Sequence, residues 1–259
     1  MSDKSAIEWT EATWNPTTGC DRISAGCDHC YALSLAKRLK AMGVAKYQLD
    51  GDPRTSGPGF GVATHPDALD IPRSWKKPRV VFVNSMSDLF HENMPFEYLD
   101  KVFNIIRDTP QHVYQILTKR DKVMLNYFSN RGIPKNVWLG VSVENNQCIC
   151  RIENLKKINA TIRFISFEPL IGSVGKINLN NIHWAIVGGE SGNNARPMKP
   201  EWVEEIYDTC KEYDVEFFFK QWGTWGKDGV KRNKNLNGRI FKDREWNNFP
   251  NKKLTEAHF

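Results

Sequence analysis

The stretch Thr13 to Ala32, with the sequence TWNPTTGCDRISAGCDHCYA, decides how the rest of the chain is interpreted. It contains three of the six cysteines, Cys20, Cys27 and Cys30, in a C-x6-C-x2-C array. Cysteines this close in sequence can converge on one point in space. Three thiolates are one too few for a closed tetrahedral metal site, and they suit a centre that keeps one coordination position open.

Three kinds of site fit this array. The first is a 4Fe-4S cluster in which three irons are held by thiolates and the fourth iron is left open. The second is a small zinc site with His29 or His65 as the fourth ligand, although His29 lies in the same tight turn as Cys30 and we do not expect it to reach inward. The third is a redox pair of Cys27 and Cys30, which leaves Cys20 without a role.

The composition is typical of a globular protein with one large core. The chain has 259 residues, of which 40% are hydrophobic and 25% are charged. No apolar run approaches the roughly twenty residues of a membrane span, and the N-terminal sequence MSDKSAIEWT lacks the pattern of a secretion signal. We therefore expect a cytoplasmic protein that has no membrane partner and whose clustered cysteines bind metal rather than form disulfides.

The positive charge is concentrated at the C-terminal end of the chain. Residues 227–259 hold nine Lys and Arg against four acids, whereas the net charge of the whole chain is +6. Such a tail, with Trp246 and Phe249, can follow a phosphate backbone and stack on bases. The alternative interpretation is a solvated, partly flexible terminus. We predict a domain over residues 1–226 and a basic extension over residues 227–259.

Predicted apolar strands alternate with predicted amphipathic helices along the chain. The predicted strands are Ile7–Thr10, Val80–Asn84, Val113–Thr118, Val137–Val143, Ile162–Phe167, His183–Gly188 and Val215–Lys220. The predicted helices follow Cys30 up to Gly43 and cover Phe96–Asp108, Asp121–Asn130, Gln147–Ile158 and Glu201–Tyr213. Residues 44–78, with five prolines, form an irregular insertion. The pattern predicts an α/β fold with a full or partial parallel β/α barrel, and a doubly wound open sheet remains an alternative.

Polar residues follow six of the predicted strands. In chain order they are Asn84, Ser85, Ser87 and Asp88; Lys119 and Arg120; Ser142 and Glu144; Glu168; Gly188, Gly189 and Glu190; and Lys220. Parallel α/β folds form their sites at the carboxyl ends of the strands, so we expect these residues to surround one cavity. Part of the pattern is expected without any function, because helix N-caps favour Ser, Asp and Asn.

The array after the first predicted strand resembles the cluster-binding loop of the radical SAM (S-adenosylmethionine) superfamily. The spacing differs from the commonest form, which puts three residues rather than six between the first two cysteines. The whole chain resembles a phage- and prokaryote-associated three-cysteine-motif family of unknown function. The matching runs are TWNPTTGCDRISAGCDHCYA, RVVFVNSMSDLFHE, LTKR, VWLGVSVEN, RFISFEPLIG, WAIVGGESG, ARPM and FFKQWG.

The resemblance implies a role for several residues. Cys20, Cys27 and Cys30 would bind three irons of a 4Fe-4S cluster, and S-adenosylmethionine would chelate the fourth. Reduction by a donor such as flavodoxin or ferredoxin would then give a 5′-deoxyadenosyl radical that abstracts hydrogen. The residues implied for the cofactor are Asn84, Ser85, Ser87 and Asp88 at the methionine ammonium, Ser142 and Glu144 at the ribose, and Gly188 and Gly189 at positions of close backbone approach.

The substrate is open at this point. The basic tail, the TKR run at a strand end and the phage association favour nucleic-acid modification or repair, and a peptide or a small metabolite is an alternative. The candidate substrate contacts are Lys119, Arg120, Glu168, Glu190 and Lys220, which can equally form structural ion pairs. The competing function is that of a non-enzymatic nucleic-acid-binding protein stabilised by zinc or by a cluster.

Overall fold

Seven strands form one sheet whose order follows the sequence. They are β1 (Ala12–Trp14), β4 (Val80–Val83), β5 (Val113–Thr118), β6 (Val137–Ser142), β7 (Ile162–Phe167), β8 (Trp184–Gly188) and β9 (Glu216–Gln221). Two short strands, β2 (Thr17–Thr18) and β3 (Ala63–Thr64), pair antiparallel in a separate small sheet. The computed structural model describes residue 5 and residues 7–250.

The strands of the large sheet are parallel and largely buried. Ala12 is paired with Val81 and Val80 with Val113, and further along the sheet Phe164 is paired with Trp184. Every residue of β6 and of β8 is buried. Such near-continuous apolar strands are stable only when both faces of the sheet are covered. The predicted α/β class is therefore confirmed.

The order of the strands distinguishes between the two predicted topologies. A doubly wound sheet reverses its strand order at a switch point, whereas a β/α barrel adds each strand beside the previous one. Here the order contains no reversal. Within the described residues the order begins at β1 and ends at β9 without a pair that joins them, which is the topology of a partial barrel.

The chain divides into two compact units. Among the described residues, the first unit contains residue 5 and residues 7–139 with 159–161, and the second contains residues 140–158 with 162–250. The helices of the first unit are α1 (Tyr31–Ala41), α2 (Phe96–Asp108) and α3 (Asp121–Phe128). Single turns of 3-10 helix occur at Ala25–Cys27, Ala45–Tyr47, Pro66–Ala68 and Ile71–Ser74. Within residues 5 and 7–250, no helix combines the length and the hydrophobicity that a membrane span requires.

The first unit has an aromatic core. Phe90, Phe103 and Tyr127 are buried, and the rings of Phe103 and Tyr127 stack with centroids 5.3 Å apart. Helix α2 contributes to this core because its apolar residues recur at helical spacing, among them Leu99, Val102 and Phe103. The sequence predicted both ends of α2 correctly.

The second unit contains α4 (Cys150–Lys156), α5 (Pro200–Glu212), α6 (Lys234–Asn237) and a 3-10 turn at Asn146–Cys148. Its core includes Phe164, Trp184 and Phe218, with the Trp184 and Phe218 rings edge to face at 6.0 Å. The segment that follows β7, residues 168–182, has no α-helix.

Two predictions about the N-terminal half have different outcomes. The first strand is not Ile7–Thr10, because the Thr10 amide donates to the Ile7 carbonyl at 3.2 Å and closes a turn there. The strand is β1 instead, at the start of the stretch that holds the three cysteines. The insertion over residues 44–78 is irregular as predicted, with 3-10 turns and one two-residue strand.

The basic C-terminal segment packs on the second unit as far as residue 250. Trp246 is buried, and its ring lies 4.8 Å from that of Tyr207 on α5. The Trp246 carbonyl accepts a hydrogen bond from the Phe219 amide of β9 at 2.9 Å. Trp246 is therefore a core residue and is not available to stack on bases. The domain boundary between residues 226 and 227 stays a prediction.

Candidate functional site

Residues 19–30, which connect β2 to α1 and contain the three cysteines, form a loop that we call the cysteine loop. This loop is attached to the carboxyl end of β4. The Gly19 amide donates to the Met86 carbonyl at 3.1 Å, and the Ser87 hydroxyl donates to the Gly19 carbonyl at 2.7 Å. Gly19 has a positive φ of 83°, and a Cβ there would lie 2.0 Å from the Gly61 carbonyl oxygen. Only glycine fits this backbone, so the loop has a fixed path that brings Cys20 beside the end of β4.

The three cysteines of the loop are half-buried free thiols. Cys20 and Cys30 pack against one small apolar cluster, which includes Ala36 and Phe60. Cys27 ends the 3-10 turn, with its Sγ 3.8 Å from the Ser24 hydroxyl. Because α1 begins immediately after Cys30, the loop connects the first strand to the first helix, as predicted.

The residues considered as metal ligands do not form a closed metal site. In the part of the chain that the structure describes, no three His, Cys, Asp or Glu side chains are arranged to hold a metal ion. His65, the alternative zinc ligand, lies with Nε2 2.8 Å from the Thr18 hydroxyl, and His29 is exposed. The cluster, S-adenosylmethionine and zinc all stay predictions.

Arg120 contacts the cysteine loop directly. One guanidinium nitrogen (NH1) donates to Cys20 Sγ at 3.2 Å, and the other (NH2) donates to the Asp21 carbonyl at 3.1 Å. The same side chain donates from Nε to Glu92 at 2.6 Å and lies 3.5 Å from Asp88. The side chain is 2% exposed. Arg120 therefore joins the cysteine loop to the end of β5, and its predicted contact with a substrate stays a prediction.

The environment of Cys20 disfavours its ionised form. Burial is the largest cause that raises the pKa of the Cys20 thiol, the Asp88 carboxylate adds to it, and the net result is a pKa of about 12. The Arg120 guanidinium acts in the opposite direction and lowers the pKa. Cys20 is therefore a thiol whose ionisation depends on the positive charge that is brought to it.

The residues predicted to bind the cofactor ammonium have structural partners. Asn84 is buried, has a positive φ of 62°, and donates to the Thr17 hydroxyl at 2.7 Å. Ser85 donates to Asn15 Oδ1 at 3.1 Å, and Ser87 holds the cysteine loop as described above. These side chains connect the end of β4 to the residues around β2.

Asp88 is the most highly connected of this group. Its carboxylate accepts from the Thr118 hydroxyl at 2.6 Å and from the amides of Lys119 and Phe90, each at 3.0 Å. With Arg120 as a cationic partner, this buried carboxylate is well satisfied. Asp88, shortly after β4, therefore joins the ends of β4 and β5.

Asp21 and His91 form a second link that the sequence did not indicate. His91 Nε2 lies 3.0 Å from Asp21 Oδ2, and the hydroxyls of Thr55 and Ser56 donate to Asp21 Oδ1. Burial alone would raise the pKa of Asp21, but these hydrogen bonds lower it below its ordinary value. The residue after Cys20 is therefore fixed to the irregular insertion as well.

In the second unit, Glu144 forms a buried ion pair with Arg151. Arg151 Nη1 on α4 donates to Glu144 Oε2 at 2.9 Å and to the backbone carbonyl of Ser142 at 2.8 Å. Glu144 and Ser142 are both buried. The sequence did not indicate this role of Arg151, because its partner lies outside its own helix. The position of Arg151 on the helix that follows β6 is the signal that could have indicated it.

Gly188 and Gly189 are required by neighbouring protein groups. A Cβ at Gly188 would lie 2.4 Å from Glu168 Oε1, and one at Gly189 would lie 1.9 Å from the Trp222 carbonyl oxygen. Protein groups therefore make the close approaches that require glycine at these two positions, and a role of the two residues at a cofactor stays a prediction. Glu168 also pairs with Lys220 at 3.1 Å, so these two candidate substrate contacts form an ion pair.

Glu190 is paired with Arg196, which the sequence analysis did not identify. Arg196 donates from NH2 to Oε1 at 2.6 Å and from Nε to Oε2 at 2.9 Å, the bidentate arrangement that fixes both groups. The Arg196 amide donates to the same carboxylate at 2.8 Å. The signal in the sequence was the run ARPM, whose arginine follows GGES by a short loop.

The structure brings the predicted residues together in two groups. Asn84, Ser87, Asp88 and Arg120 surround the cysteine loop in the first unit. The second unit holds the pairs Glu144–Arg151, Glu168–Lys220 and Glu190–Arg196. A single cavity that includes both groups stays a prediction.

A family comparison matches almost the whole chain. The family described as "Protein of unknown function (DUF5131)" matches residues 4–250. The chain belongs to this family. No curated protein matches it in sequence.

Among solved structures, the chain is similar to a spore photoproduct lyase mutant with a dinucleoside spore photoproduct. The likeness covers 83% of this chain and 67% of that chain, at 13% sequence identity and a TM-score of 0.42. A likeness at this level does not define a function for the DUF5131 protein.

Proposed function

We propose that this DUF5131 protein is a radical S-adenosylmethionine enzyme that binds a 4Fe-4S cluster through Cys20, Cys27 and Cys30 and modifies or repairs nucleic acid. One observation carries the proposal. The loop with three free thiols lies at the carboxyl end of the first strand of a sequentially ordered parallel sheet, and hydrogen bonds attach it to the end of the next strand. This edge is where parallel α/β folds carry out their chemistry.

The type and number of the donors suit such a cluster, and the three sulfurs would have to converge to bind it. Three thiols occupy one loop, they are not used in disulfides, and they are half-buried rather than enclosed in the core. Thiolates are the ligands that iron–sulfur clusters require, and three of them leave one iron open. When bound, the cluster supplies one electron that cleaves S-adenosylmethionine to methionine and a 5′-deoxyadenosyl radical, which abstracts hydrogen from a substrate.

The chain's own residues support this role in two ways. Arg120 brings a buried positive charge to Cys20 Sγ, which favours the thiolate that a metal ligand must be. Gly19 and Ser87 hold the backbone of the loop against β4, so Cys20 has a defined position before any ligand binds. Hydrogen bonds to cysteine sulfur also influence the potential of a cluster.

The nucleic-acid part of the proposal comes from charge. Residues 227–259 carry most of the net positive charge, and the described part of this segment is packed on the second unit. A basic surface that is held on a folded unit attracts phosphate backbones. An electron donor such as flavodoxin or ferredoxin is the protein partner that the proposed reaction needs.

Anaerobic reconstitution with iron and sulfide tests the cluster. We expect about four irons per chain and a brown protein that forms 5′-deoxyadenosine from S-adenosylmethionine after reduction. Cys27→Ala should lose the iron and the product. Cys150→Ala is the matched control, since Cys150 is exposed on α4 in the second unit and should change neither.

The same preparation tests the competing function. One tightly bound zinc per chain, no colour and no cleavage of S-adenosylmethionine would refute the enzyme and favour a zinc-stabilised nucleic-acid-binding protein. Equal iron loss in Cys27→Ala and Cys150→Ala would show that the iron is bound non-specifically.

A further inference from the structure

A polar groove of about 540 Å³ lies in the second unit, away from the cysteine loop in sequence. Its lining consists of residues 191–193, Thr224 and residues 231–235. Every lining residue is polar or glycine, and Lys231, Arg232 and Lys234 are among them. None of the lining residues is a carboxylate. The groove is therefore unsuited to an apolar ligand and suited to an anion.

The groove is built on the loops that follow the last two strands of the sheet. Residues 191–193 come shortly after β8, and Thr224 comes shortly after β9. The Thr224 amide donates to the Glu190 carbonyl at 2.9 Å, and the Gly192 amide donates to the Thr224 hydroxyl at 2.9 Å. In β/α barrels the loops after the final strands frequently bind phosphate.

Two of the three cations are held in place by the protein. Arg232 makes a bidentate pair with Asp228, at 2.6 Å and 2.9 Å. Lys231 Nζ donates to the Asn193 carbonyl at 2.6 Å and lies 6.0 Å from the centre of the Trp225 ring. The carbonyl and the ring orient Lys231 without neutralising it, so its charge remains available to a ligand.

Lys234 is the third cation. Within residues 5 and 7–250, Lys234 Nζ makes neither an ion pair nor a hydrogen bond. Asp228 compensates the positive charge of Arg232. The charges of Lys231 and Lys234 have no carboxylate partner in the groove. Two uncompensated ammonium groups on a groove without carboxylates attract a ligand with at least one phosphate.

We infer that this groove binds a phosphate group of a nucleotide chain or of a free nucleotide. Lys231 and Lys234 would pair with the phosphate, and the amides and hydroxyls of the lining would bind its oxygens and the adjoining sugar. The volume lies in the range of small-molecule sites, about 300–1,000 Å³. This inference rests on the nucleic-acid part of the proposed function and is independent of the cysteine loop.

Fluorescence anisotropy of a short labelled oligothymidylate on the full-length protein, measured from about 50 to 200 mM salt, tests the inference. Lys231→Gln and Lys234→Gln should each weaken binding about two- to fivefold. Each should also reduce the salt slope by about 0.7, the value for one phosphate contact on a single strand. Lys101→Gln is the control, because Lys101 is an exposed lysine on α2 and loses the same charge.

Competition by adenosine monophosphate and by inorganic phosphate separates the two sources of phosphate. If neither adenosine monophosphate nor inorganic phosphate displaces the labelled oligonucleotide, the ligand is a nucleic-acid strand. If the mononucleotide competes equally well and the groove variants lose it, the ligand is a free nucleotide, and the phosphate site is still supported. If nothing binds, or if Lys101→Gln loses as much affinity as Lys234→Gln, the inference is overturned. Because no step needs the cluster, failure here leaves the test of the cysteines intact.

Discussion

Replacement of Arg120 by methionine is the sharpest test of how the cysteine loop is held. Methionine keeps much of the aliphatic volume of the side chain and removes the guanidinium. The variant therefore loses the hydrogen bonds to Cys20 Sγ, to the Asp21 carbonyl and to Glu92, as well as the cation beside Asp88. A buried carboxylate is then left without its positive partner.

The magnitude follows from burial. Removal of one partner of a buried ion pair costs about 3–5 kcal/mol of unfolding free energy. Asp88 keeps three neutral donors, from Thr118, Lys119 and Phe90, so we expect a loss near the lower limit, about 3 kcal/mol. For a chain of this length, that loss lowers Tm by about 6–12 °C.

The assay is urea unfolding of the metal-free chain under reducing conditions, so that cysteine oxidation does not contribute. Arg73→Met is the control in the same unit. Its ion pairs with Asp70 and Asp108 are solvated, with the Arg73 side chain 47% exposed, and we expect a midpoint close to that of the wild type.

A double-mutant cycle with Asp88→Asn isolates the pair itself. The two groups lie 3.5 Å apart, and we expect a coupling free energy of about 1–3 kcal/mol. Equal midpoints for Arg120→Met and Arg73→Met, or a coupling near zero, would refute the argument that this guanidinium is a buried structural cation.

Three further changes test other parts of the fold by the same unfolding assay. Gly189→Ala should destabilise by about 1–3 kcal/mol, because its Cβ would lie 1.9 Å from a backbone oxygen, whereas Gly132→Ala, with open space around it, should stay within about 0.5 kcal/mol. Trp246→Ala should cost about 3–5 kcal/mol, whereas the 77% exposed Leu236 should tolerate alanine. If the basic C-terminal segment were a solvated tail, alanine at Trp246 and alanine at Leu236 would have equally small effects on the free energy of unfolding. Burial lowers the pKa of His112, so protonation favours the unfolded chain, and stability should fall as pH decreases from about 7 towards 5. His112→Gln should weaken the dependence of the unfolding free energy on pH. If the substitution leaves that dependence unchanged, His112 is not the group responsible for it.

The sequence predicts the regular elements well where local pattern and burial agree. Strands β5 and β7 and helix α2 have the predicted ends, since each is an apolar or amphipathic run bounded by turn residues. The prediction of the first strand was wrong because Ile7–Thr10 has a better apolar pattern than Ala12–Trp14, the observed strand. The three residues of β1 become a strand only by pairing with β4, a contact about seventy residues away that no local pattern encodes.

The sequence predicts polar residues at the strand ends, and their role as one site stays a prediction. What the structure adds is which of these residues pair with one another. The sequence could not identify Asp88 as the partner of Arg120, or Arg196 as the partner of Glu190, because each pair joins residues whose proximity depends on the fold. The sequence could also not show that protein atoms lie close beside Gly188 and Gly189, whose role at a cofactor stays a prediction.

The strand-end ion pairs limit which residues can bind a substrate. Four carboxylates at strand ends have cationic partners: Asp88 with Arg120, Glu144 with Arg151, Glu168 with Lys220 and Glu190 with Arg196. A ligand that takes one partner of a buried pair must compensate about 3–5 kcal/mol. The acids of three pairs are at most 8% exposed, whereas the Glu168 and Lys220 side chains are 16% and 21% exposed. Of these four pairs, Glu168–Lys220 is therefore the one that a substrate can recruit at the lowest cost.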